Sequence, residues 1–165
     1  MTTLHRYAAA LVLALSAGPV LAAGGSRIEI DDAWVRATVP GQPNGAGYME
    51  IENDGDRPDR LVAVESAAAE RVEIHTVDHE GGVARMRRID GLDIPANGEV
   101  KLAPGGYHIM FLKLKAPFTE GQRVSATLRF ERAGDIPVQF EVKPAAYHGG
   151  DHGHGHGHAQ GAMKH

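Results

Sequence analysis

The chain has 165 residues, a formal net charge of −4 and no cysteine. The mildly acidic balance argues against nucleic-acid binding. The missing thiols remove disulfides, thiolate metal ligands and lipid attachment at cysteine, while the length still suffices for one packed domain.

In chain order, the first segment reads as an address rather than as structure. MTTLHRYAAALVLALSAGPVLA, residues 1–22, places Arg6 ahead of an apolar run over 8–21 and ends on small residues around Val20-Leu21-Ala22. That is the layout of a cleaved secretory signal. The run is short and broken by Gly18-Pro19, so no membrane span is expected. The expected mature protein begins near Ala23, is periplasmic, and is more acidic by the loss of Arg6.

Residues 23–144 then carry strand signals. Alternation or β-branched content marks AWVRATV (33–39), GYMEIEN (47–53), RLVAVES (60–66), RVEIHTV (71–77) and VARMRRI (83–89). VKLA (100–103), HIMFLKL (108–114), RVSATLRFE (123–131) and PVQFEV (137–142) continue the series. Turn residues separate them, including Pro40-Gly41, Asn53-Asp54-Gly55, Gly81-Gly82 and Pro104-Gly105-Gly106. About nine short strands at this spacing indicate an all-β domain, an antiparallel sandwich or Greek-key barrel. AAAERVE (67–73) offers the one candidate helical turn. Trp34, Tyr48, Phe111, Phe130 and Phe140, with the Val, Ile and Leu residues, supply the core.

The chemistry sits in a few side chains. The domain contains His75, His79 and His108, and Met49, Met86 and Met110. His75 reads as closing its strand at a rim, on the face of Arg71 and Glu73. Met86 stands among Arg85, Arg87 and Arg88, an odd place for a space-filling thioether. His108 and Met110 share one strand face just after the Pro-Gly-Gly turn. Each lies near an expected element end, which suggests a site at one pole of a barrel. His79 is expected in a loop. Two imidazoles and two thioethers form a neutral, partly soft donor set, which favours Cu(I) over zinc, magnesium or iron. A blue-copper centre is excluded because it needs a cysteine.

The spacing is specific as well. His75, Met86, His108 and Met110 fit H-x10-M-x21-H-x-M. With the Trp34-Val35-Arg36 strand, GAGYMEIEN and the Pro-Gly-Gly lead-in to His-x-Met, the chain resembles the PCuAC family of periplasmic copper chaperones over about residues 28–144. The resemblance implies a cupredoxin-like fold and an exposed Cu(I) site built from those four residues. It also implies copper delivery to the CuA centre of cytochrome c oxidase, with a Sco-type chaperone as co-partner. A non-enzymatic, monomeric carrier is expected, with Met86 as its most mobile ligand because it follows the Gly81-Gly82 turn.

The last segment, 145–165, is rich in glycine and histidine and reads as flexible. His148, His152, His154, His156, His158 and His165, with Met163, form a second expected metal site, best suited to Cu(II). The competing reading of the segment is an expression tag. For the whole chain, the alternative function is a periplasmic buffer for Cu(II), zinc or nickel that relies on this tail. A copper oxidoreductase fits poorly with three domain histidines, and a plain interaction module leaves the four-residue spacing unexplained.

Overall fold

A computed structural model describes residues 26–150 of the chain. The expected signal (1–22), and the tail residues His152, His154, His156, His158, Met163 and His165, lie outside the described residues.

The all-β expectation holds: ten strands join in one sheet, and the described residues contain no helix. In chain order they are β1 (Ile28–Arg36), β2 (Asn44–Asn53), β3 (Asp59–Glu65), β4 (Ala69–Glu80), β5 (Val83–Ile89), β6 (Leu92–Ile94), β7 (Gly98–Leu102), β8 (His108–Leu114), β9 (Arg123–Phe130) and β10 (Gly134–Lys143). The candidate helical turn at 67–73 is instead a tight turn running into β4. The strand absent from the sequence reading is β6, three residues long, whose Leu92 and Ile94 are buried around an exposed Asp93. So short a segment carries too little alternation to stand out.

The order across the sheet is β5-β4-β8-β2-β1-β10-β9-β3-β6. Strand β2 shares one edge between two partners: Asn44–Gly47 pair with β8 and Met49–Asn53 with β7. All ladders are antiparallel except β1–β10, which is parallel at Trp34–Arg36. The sheet curls so that β3 packs against β4 around a core that includes Val35, Ile51, Leu61, Ile74, Ile109, Phe111, Leu128, Phe140 and Val142. Phe111 meets Phe118 and Phe140 edge-on, with centroids 5.5 and 5.8 Å apart. Gly47 allows that packing. A Cβ there would lie 3.0 Å from Phe111 and 3.2 Å from Val35.

Strand alternation assigns the rest. Ile74, Ile109 and Phe111 turn inward, so their neighbours Glu73, His75, His108 and Met110 belong to the outward face of β4 and β8. Met49 faces inward and is buried, a core methionine.

Candidate metal centre

Three adjacent strands carry the four residues of the motif. In the β4–β8 ladder His75 stands directly opposite His108, and Glu73 stands opposite Met110. In the β4–β5 ladder Val77 is opposite Met86 and His75 is opposite Arg88. Because Val77 and His75 share a face, Met86 lies on that face too, one step diagonally from His75. The register thus puts His75, His108, Met110 and Met86 on one side of β5-β4-β8. The imidazoles are immediate neighbours, with ring centroids 5.7 Å apart. Met110 is half-buried beside them, whereas Met86 is 55% exposed.

This arrangement differs in one respect from the polar rim expected from sequence. Strand β4 does not end at His75 but runs on to Glu80, and Met86 is mid-strand in β5. His79 is likewise in β4, opposite Ala84, rather than in a loop. Charged and polar residues over 76–80 weakened the apolar signal, while ladder pairing with β5 keeps the segment extended. The candidate site therefore lies on a sheet face where the β4–β8 ladder ends at His75–His108, with Met86 on the β4–β5 hairpin that continues past it.

Hydrogen bonding sets which nitrogen of each ring is available. His108 Nδ1 donates to the carbonyl of Gly106 at 3.0 Å, which leaves Nε2 with its lone pair. His75 Nε2 donates to Glu73 Oε2 at 2.8 Å, which leaves Nδ1 with its lone pair. Both remaining nitrogens, His108 Nε2 and His75 Nδ1, are buried and without a hydrogen-bond partner. Burial lowers the His108 pKa, opposed in part by the Gly106 hydrogen bond, so the ring is neutral at neutral pH. Glu73 is held below the usual carboxylate range, first by the bond from His75 and also by Arg71, against the opposing effect of its burial.

Glu73 was not singled out by sequence. Its cue was the E-x-H alternation of RVEIH, which places a carboxylate and an imidazole side by side on one strand face. Among the described residues no group of three or more His, Cys, Asp or Glu side chains is placed to share a metal ion. A metal bound by these two imidazoles would complete its coordination with sulfur.

The outward face continues past His108. Tyr48 lies 6.4 Å from the His108 ring, Trp34 is 4.4 Å from Tyr48, and Tyr147 stands edge-on to Trp34 at 4.8 Å. Arg36 covers both Trp34 and Tyr48, donates from Nε to the Tyr147 carbonyl and from Nη2 to His148 Nδ1. The root of the tail is thereby fastened to the same face as the paired imidazoles. His148 itself sits over β1, separated from His108 by β2, and is not part of the cluster.

Comparison with known proteins gives the context. The family model LpqE-like matches residues 28–142. A protein of Leifsonia xyli subsp. xyli (strain CTCB07), named putative lipoprotein Lxx21020, is 37% identical over 117 residues, covering 70% of this chain and 69% of that one. A solved structure described as the copper-bound PCuAC domain from PmoF2 superposes with a TM-score of 0.61 at 30% identity, covering 74% of this chain and 97% of the other. The solution structure of CuI-DR1885 from Deinococcus radiodurans gives 0.56 at 31% identity, over 75% and 81% of the two chains.

Proposed function

This chain belongs to the LpqE-like family, and from that premise we propose that it is a copper carrier, not an enzyme, holding Cu(I) between His75, His108, Met110 and Met86. The observation that carries this reading is the pair of buried, unpartnered imidazole nitrogens on directly opposed residues of neighbouring strands. A buried acceptor left without a donor costs about 1–3 kcal/mol, and one cation that accepts both lone pairs relieves both. The thioethers on the same face select the metal, since soft neutral sulfur favours Cu(I). The solved domains described as copper-bound and as CuI are of the same fold, which supports the choice.

The donors divide by accessibility, and that suits a carrier. His108 and His75 are positioned by fixed hydrogen bonds, while Met86 stands in solvent where it can be exchanged for an incoming ligand. The acceptor in this reading is another copper protein, with the CuA centre of cytochrome c oxidase as the specific candidate and a Sco-type chaperone as co-partner. Residues 1–22 direct export to the periplasm, and residues 23–144 form the carrier domain. The histidines of 145–165 collect Cu(II) ahead of the domain.

The test is Cu(I) competition against a chromophoric chelator, with X-ray absorption on the loaded full-length protein. Two nitrogen and two sulfur neighbours are expected, with at least a tenfold affinity loss in His108→Ala or Met110→Ala. A chain ending at Gly150 should keep Cu(I) and lose only Cu(II). Cu(I) binding that disappears with the tail and ignores both substitutions would instead establish the tail-based buffer.

A further inference from the structure

Among the described residues, strand β5 is the end of the hydrogen-bonded path and pairs only with β4. Its outer edge therefore presents unpaired backbone groups, a template for another strand. The opposite end of the path is blunted differently: β6 has three residues, two of them buried. In β5 every residue except Ile89 is exposed, including Val83 at 54% and Met86 at 55%, two of the four exposed large apolar side chains among the described residues. The strand reads VARMRRI, three cations and no acid, in a chain whose net charge is −4. Arg87 is bound to Asp78, while among the described residues Arg85 and Arg88 have no ion pair.

We propose that β5 is a docking edge that accepts an acidic, extended segment of a partner protein as an additional strand. Three features choose this occupant. Like charges disfavour a second copy, because antiparallel self-pairing about Met86 would set Arg85 against Arg87. Arg85 and Arg87 project to one side of the sheet and Arg88 to the other, so carboxylates on either face of an added strand find a guanidinium, which they can engage through two parallel hydrogen bonds. Val83 and Met86 give the segment apolar contacts between the charges. The proposal rests on the copper reading only in that Met86 would then meet the partner at its cargo; the docking itself needs no metal.

The experiment titrates ¹⁵N-labelled full-length protein, metal-free and then Cu(I)-loaded, with a blocked ten-residue peptide of glutamate and valine, using a lysine–valine peptide as control. Shifts confined to residues 83–89 and the facing part of β4, with slowed exchange of the outward β5 amides, are expected in both forms. Arg85→Glu/Arg88→Glu should raise the Kd at least tenfold, and Arg85→Glu alone, on the face away from His75, should raise it less while leaving Cu(I) affinity unchanged. Arg85→Gln/Arg88→Gln should give a smaller rise, and serves if the reversed variant fails to fold. Shifts spread evenly over Arg27, Arg123 and Arg129, equal binding of the lysine peptide, or unslowed β5 amides would overturn the proposal. A positive result in the metal-free protein beside absent Cu(I) binding would sink the copper reading alone.

Discussion

Glu73 offers the sharpest test of the proposed site, because in that site it would act on the metal only through His75. Its carboxylate accepts the His75 Nε2 proton at 2.8 Å, between side chains that are 12% and 13% exposed. That bond leaves Nδ1 as the buried lone-pair nitrogen of the ring. Hydrogen bonds to charged groups contribute about 1.5–3 kcal/mol when largely screened from water, and loss of such an outer partner typically costs about 10–100-fold in metal affinity. Glu73→Gln preserves the shape but removes the charge and lets the amide offer a donor to Nε2. Glu73→Ala removes the partner entirely. Cu(I) affinity should fall within that range for both variants, with Ala the larger loss. ¹⁵N chemical shifts of the His75 ring in the metal-free protein should move from a single tautomer toward a mixture. A merely structural role would change thermal stability and leave the tautomer intact. Unchanged tautomer with unchanged Cu(I) affinity in Glu73→Ala would refute the reasoning.

Other substitutions test the fold and its charge balance. Asp59 is buried, and its two oxygens receive the N–H groups of Arg60 at 2.7 Å, Arg132 at 3.0 Å and Ala133 at 2.9 Å as well as the Ser26 hydroxyl. Burial pushes its pKa up, but these bonds outweigh burial and hold it below the usual Asp value. Its contribution is therefore complete above the unfolded pKa of about 3.9 and is lost as pH falls through the lower folded value. Asp59→Asn should cost about 2–3 kcal/mol at pH 7 in urea denaturation and flatten the acid limb of stability against pH. Glu52 stands opposite Glu29 on β1 and Glu99 on β7, and its pKa is raised, chiefly by Asp54, with desolvation and those glutamates adding to it. A raised carboxyl favours the fold below the carboxylate range and opposes it above. Glu52→Gln should therefore raise Tm at pH 7, and the gain should shrink in high salt and vanish in acid. Gly47→Ala, which forces a methyl against fully buried Phe111 and Val35, should cost about 1–3 kcal/mol of unfolding free energy. The same denaturation assay checks it.

Much of this fold was legible because its signals are local. GYMEIEN and HIMFLKL are short apolar-rich runs bounded by turn residues, and turns such as Gly81-Gly82 need positive φ, which both residues adopt. What stayed hidden was pairing. Nothing in the sequence says that β2 divides one edge between β7 and β8, or that β1 meets β10 in parallel, because ladder partners are chosen by packing across long loops. The same limit applies to the site. Residue types and spacing pointed to His75 and His108, but their direct opposition is a register, and the carbonyl of Gly106 that orients His108 has no side-chain signature at all.

The tail root shows how a local feature gains meaning only from that register. Arg36 is separated in sequence by 111 residues from the Tyr147 carbonyl it holds, and no periodicity links them. Once β1 lies beside β2 and β2 beside β8, rings at steps of 4.8, 4.4 and 6.4 Å join Tyr147 through Trp34 and Tyr48 to His108. Burial of Trp34 and Tyr48 on an outward face then has a physical cause: Arg36 and the Tyr147 segment cover them. A histidine-rich segment rooted there starts on the face of the paired imidazoles rather than on the far side of the domain. In the proposed function that raises the effective concentration of tail ligands at the carrier site through linker length alone, with no added contact between them.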